Sequence, residues 1–118
     1  MLGLCEKIAD LDRNILSVLL IDNGMVVQQK SRPGVEFVDH DKAESIVVQK
    51  LMMLYLSKMH ESFRGRFEYT MSRYENADIL MLEVPSIKKK SMLVVTIQRP
   101  YDPGLMDSIA AELDSLVA

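Results

Sequence analysis

Leu19-Leu20-Ile21-Asp22-Asn23-Gly24-Met25-Val26 decides how this chain is read. It ends the apolar run Ile15–Ile21, broken only by Ser17, whose composition is that of a strand buried on both faces. Asn-Gly tolerates the positive φ angles of a tight type I′ turn, so Met25–Lys30 is expected to return antiparallel to the first strand. Polar residues accumulate toward Lys30, as on an edge strand.

Upstream, Leu4, Cys5, Ile8 and Leu11 recur at helical spacing and predict a short amphipathic helix within Leu2–Leu11. Downstream, Arg32-Pro33-Gly34 reads as a rigid turn in which Gly34 is the conformational requirement, in preference to the lining of a cleft. Asp39 is a candidate cap for a long helix from Asp41 to about Glu61, and Gly65 suits a left-handed C-terminal cap. On a helical wheel, Ala43, Leu54, Val47, Leu51, Tyr55, Val48, Met59, Met52 and Leu56 fill a continuous arc of about 220°. Lys50, Ser57, Gln49 and His60 occupy most of the remainder. A helix lying on one sheet needs about half of that apolar arc, so the surplus asks for a second cover.

The second half returns to a period of two. Phe67, Tyr69 and Met71 are expected on one face of an edge strand, and Glu68, Thr70 and Ser72 on the other. Glu75-Asn76-Ala77 supplies a turn, and Asp78–Val84 and Ser91–Ile97 read as central apolar strands joined by the basic connector from Pro85 to Lys90. Asp102 caps a final helix opened by Pro103, with Leu105, Met106, Ile109, Ala110, Leu113, Leu116 and Val117 as its apolar stripe. The element order is αββαβββα. It predicts an α/β (α+β) fold with a single five-stranded antiparallel sheet of order 2-1-5-4-3, flanked by helices and occupying residues 1–118 as one domain.

In this order of elements, in the Leu19–Val26 strand–turn–strand and in its long second helix, the chain resembles the roadblock/LC7 domain, a profilin-like fold, over nearly its whole length. The resemblance implies a small dimeric platform that binds or regulates small GTPases and motor or signalling complexes, and it brings no catalytic motif. Arg32-Pro33-Gly34, Tyr69 and Tyr74-Glu75 are also similar to a group of short uncharacterised proteins of ammonia-oxidising archaea, which implies a cytoplasmic archaeal protein.

Composition narrows the chemistry. The chain has 118 residues, 48% of them hydrophobic and 26% charged, which is the composition of a folded domain. Its net charge of −3 offers no broad cationic face for nucleic acid. One cysteine and two histidines exclude an internal disulfide and a thiolate zinc site, and no metal or cofactor is expected. The longest apolar run, Leu51–Leu56, is far too short to cross a bilayer, so neither a span nor a signal peptide is expected and a reducing cytoplasm fits.

The glycines at 3, 24, 34, 65 and 104 form no dinucleotide fingerprint or phosphate loop. Cys5 lies on an apolar stripe and reads as a small hydrophobe. Asp39-His40-Asp41 reads as a helix start in preference to a metal cluster, and Lys88-Lys89-Lys90 as a solvated loop in preference to a phosphate contact. No catalytic set assembles, so an enzyme is not expected.

The leading reading is a non-enzymatic homodimeric regulatory or scaffolding module that binds another protein. Its interface comprises Val48, Met52, Tyr55, Leu56 and Met59 on the long helix, an edge strand, or both. The nine methionines favour an adaptable interface. The alternative is a small-molecule sensor resembling PAS and GAF domains, with a metabolite held between sheet and helices.

Overall fold

At the Asn-Gly turn φ is 51° for Asn23 and 80° for Gly24, so both central residues adopt the geometry of a type I′ hairpin. The turn joins β1 (Ile15–Asp22) to β2 (Met25–Ser31). The structure, a computed structural model, describes residues 3–35, 40–84 and 91–117. Around the hairpin lie α1 (Leu4–Ala9), α2 (His40–Lys58), α3 (Glu61–Arg64), β3 (Tyr69–Arg73), β4 (Asp78–Val84), β5 (Ser91–Ile97) and α4 (Leu105–Val117). The strands form one antiparallel sheet in the order β2-β1-β5-β4-β3, as the sequence predicts.

Register explains why the three central strands are apolar on both sides. Leu20, Leu93 and Leu82 are aligned across β1, β5 and β4, and so are their neighbours Leu19, Val94 and Met81. The first row joins Leu4, Cys5 and Ile8 of α1 and Leu105, Ile109 and Leu113 of α4 in one buried cluster. The second row meets Val47 and Leu54 of α2 in another. Each fully buried aliphatic side chain contributes about 1.5–3 kcal/mol relative to exposure, so the sheet is held from both faces.

On β2, Leu20 pairs with Gln28 but Ile21 with Val26, which makes Val27 an extra residue in the ladder. The bulge lets Val26 pack with the α2 cluster while Gln28 Oε1 accepts the Cys5 N–H at 3.5 Å on the other side.

Local details depart from the sequence expectations. Helix α1 ends at Ala9, so Leu11 lies beyond it, partly exposed, and Ala9 takes its place in the core. Arg32 does more than belong to a turn. Its Nε donates to Ile15 O at 2.9 Å and its Nη2 to Ala9 O and Asp12 O at 2.9 and 2.8 Å, tying the end of α1 to β1.

The long helix breaks after Lys58 and resumes as α3. Gly65 ends α3 at φ 86° and ψ −173°, a glycine conformation but not the left-handed helical one. Phe67 precedes β3 and packs with the α2 cluster, whereas Tyr69 packs with the opposite one, because strand alternation begins only at Tyr69. Asp102 Oδ1 accepts the Gly104 N–H at 2.7 Å, forming a turn before α4, which starts at Leu105. The Asp39 cap, the side chains of the Asp39-His40-Asp41 trio and the Lys88-Lys89-Lys90 loop lie outside the described residues.

Candidate interaction face

How α2 sits on the sheet determines what it shows to solvent. Val47 and Leu54 are buried, and Ile46, Leu51 and Met53 pack against the same cluster. The contact face is therefore centred to one side of the 220° apolar arc. On the near side it takes in residues that sequence assigns to the wet face. Ser57 is half-buried and its hydroxyl donates to Met53 O at 2.8 Å. Lys50 is only 2% exposed. Its Nζ lies 3.9 Å from Met53 Sδ, and burial holds its ammonium pKa below the usual lysine value.

On the far side the arc overshoots the sheet. Val48, Met52, Tyr55, Leu56 and Met59 are 51–70% exposed and form a strip along the outer flank of α2 and the turn that follows it. All five sequence-selected residues are thus brought to one surface. Phe63 of α3 is also exposed, and its ring meets His60 edge to face at a centroid distance of 6.5 Å. It follows Met59 by four residues and Leu56 by seven. The same apolar period, carried past Glu61, points to it, but a reading that stops the helix there passes it over.

The polar groups elsewhere explain stability more readily than catalysis. Asp78 is buried at the start of β4, where its carboxylate accepts hydrogen bonds from Tyr101 OH and Arg99 Nη1. Tyr101 and then Arg99 hold the carboxyl pKa below the ordinary value, against the opposing effect of burial. The Tyr101 phenol is pushed up to about 12 by burial and by its bond to that carboxylate. Arg99 Nη2 also donates to Tyr74 O and Glu75 O, each at 2.8 Å, which fastens the β3–β4 turn. With the acid ionised and the phenol protonated at neutral pH, the cluster is a fixed staple rather than a proton relay. Periodicity offers little sign of it, since an aspartate at a strand end normally reads as solvated.

Burial pushes the Cys5 thiol up to about 11, far from a reactive thiolate. Among the described residues no group of three or more His, Cys, Asp and Glu side chains is placed to hold a metal ion, and no helix is long and apolar enough to cross a membrane. A cleft of about 240 Å3 between the segment leading into β3, β4 and α4 is lined by Arg66, Glu68, Glu83, Asp107 and Asp114 over Leu82 and Leu113.

Solved structures share this architecture. The Roadblock/LC7 domain from Streptomyces avermitilis superposes with a TM-score of 0.75 at 15% identity, covering 99% of this chain and 93% of that one. Myxococcus xanthus MglB gives 0.73 at 18% identity, with 98% and 89% covered. The gliding protein MglB from Thermus thermophilus gives 0.70 at 16%, with 98% and 84% covered. No protein-family model matches the chain, and no curated protein matches it by sequence. The class defined by the sheet order and the superpositions is the roadblock/LC7 fold. At these identities, what this chain shares with MglB and the Streptomyces domain is that architecture.

Proposed function

We infer that this chain is a non-enzymatic regulatory or scaffolding module that pairs with a second copy through the α2 strip and offers the composite surface to another protein. The observation that supports it is the strip itself. Five apolar side chains at half to seven-tenths exposure leave on the order of 500 Å2 uncovered, as large as the largest patch an ordinary monomer shows. A standard interface takes about 800 Å2 from each partner, so the strip with Phe63 and its polar surroundings is of the right size. MglB has been solved in a tetrameric arrangement, a precedent for assembly on this fold.

A small GTPase is the partner class that the roadblock resemblance implies for the composite surface, and a reducing cytoplasm suits a lone cysteine kept buried and protonated. The sensor reading has less support among the described residues: the cleft beside α4 is smaller than ordinary ligand pockets of about 300–1,000 Å3 and has a charged rim, and the larger hollow of about 560 Å3 over Glu44, Val48 and Met52 is an open surface on the strip itself.

Sedimentation equilibrium over micromolar concentrations tests the pairing. A monomer–dimer equilibrium is expected, and a chain that sediments as a monomer throughout removes the reading.

A further inference from the structure

The methionines differ in environment, and Met71 on the edge strand β3 is half-exposed. Met81 and Met92 lie fully buried in the sheet, and Met53 is packed beneath α2. Met52 and Met59 stand exposed, two turns apart, on the strip, and Met25 is exposed at the hairpin on the outer strand. The remaining aliphatic members of the strip, Val48 and Leu56, have no oxidisable atom. A thioether in this position is apolar and adaptable, but it is also the group that a peroxide attacks first on an otherwise inert surface.

We propose that the strip is a redox-sensitive contact: hydrogen peroxide converts the Met52 and Met59 thioethers to sulfoxides, and the paired form separates into subunits. The proposal rests on the pairing inferred above. In the chemical step a sulfur lone pair attacks one peroxide oxygen, the S–O bond forms as the O–O bond breaks, and water leaves. Sulfur is oxidised by two electrons and the peroxide is reduced by two. The product puts a strong acceptor oxygen on a strip whose aliphatic members, Val48 and Leu56, carry no hydrogen-bond donor. Burying that oxygen without a donor is unfavourable. Twofold pairing places each sulfoxide in the interface twice, so the two positions act four times per dimer. Thiol-dependent methionine sulfoxide reduction returns the thioether and the contact.

Pairing also shields these two sulfurs, so oxidation proceeds through the separated subunit. Met25 lies on a different element and serves as an internal reference.

The experiment treats the full chain with hydrogen peroxide, locates sulfoxides by peptide mass spectrometry and reads association by sedimentation velocity, with circular dichroism as the check on folding. The same treatment is applied to the Met52→Leu/Met59→Leu double variant, which keeps side-chain volume and removes both sulfurs. In the untreated chain a dimer is expected; a monomer refutes the pairing and this proposal together. In the treated wild type, sulfoxide at Met52 and Met59 is expected to weaken association at least 100-fold with the fold intact. Incubation with methionine sulfoxide reductase and dithiothreitol restores it. The association of the leucine variant, measured first without peroxide, is not weakened further by the same treatment. Oxidation at Met52 and Met59 is expected to slow as protein concentration rises, while oxidation at Met25 does not. A wild-type dimer that persists with both residues oxidised, or a leucine variant that dissociates equally, overturns the redox contact while leaving the pairing intact.

Discussion

Asp78 is the residue whose environment sets the sharpest stability expectation. Removing either donor leaves a buried carboxylate short of a partner, so Arg99→Met should cost on the order of 3 kcal/mol in chemical denaturation. The Asp78 pKa is depressed in the folded chain. Its contribution is therefore present above the ordinary aspartate value of about 4 and is lost as pH falls through the folded value. The Tyr101 phenol is raised, so its contribution is complete below about 10, the unfolded tyrosine value, and is lost as pH climbs towards the folded value. Denaturant midpoints measured across pH should fall on both sides in the wild type, and the alkaline fall should be reduced in Tyr101→Phe. Lys50 gives the opposite sign: an ammonium buried against a thioether is a cost, and Lys50→Met should raise stability by about 1–3 kcal/mol. An unchanged or lowered thermal midpoint in that variant contradicts the account of its burial.

At the scale of elements, the strands were legible because each pattern had a single physical meaning. Apolar runs in β1, β4 and β5 meet helices on both faces, and Asn23-Gly24 admits the hairpin turn. Helix α2 was legible in its surplus but not in its seating. Periodicity shows how wide an apolar arc is, yet the sheet chose a face that includes Lys50 and Ser57 and left Val48, Met52, Tyr55, Leu56 and Met59 outside. Long side chains make such a shift tolerable, because a lysine stem packs like an aliphatic one. Phe67 and Leu11 were misplaced for a different reason: each lies two residues outside an element, Phe67 before β3 and Leu11 after α1, where the period does not constrain direction. The α2 flanks separate by mutation. Leu54→Ala on the seated side should destabilise the fold by about 2–5 kcal/mol. Met52→Asp or Leu56→Asp should weaken self-association while leaving the thermal unfolding of the separated subunit nearly unchanged. Unfolding caused by either aspartate would mark the strip as core.

For the whole molecule, the architecture covers the sheet on both faces and leaves one helix flank uncovered, and that asymmetry is the basis for the functional reading. The roadblock/LC7 superpositions establish the fold, while the pairing face is argued from this chain's own side chains. Isotope-filtered nuclear Overhauser spectroscopy on a mixture of methyl-methionine-labelled and unlabelled chains tests that face directly. Pairing through the strip predicts intermolecular effects at the Met52 and Met59 methyl groups and none at Met25. A mixture that sediments as a dimer yet shows its intermolecular effects at Met25 and not on the strip would contradict it.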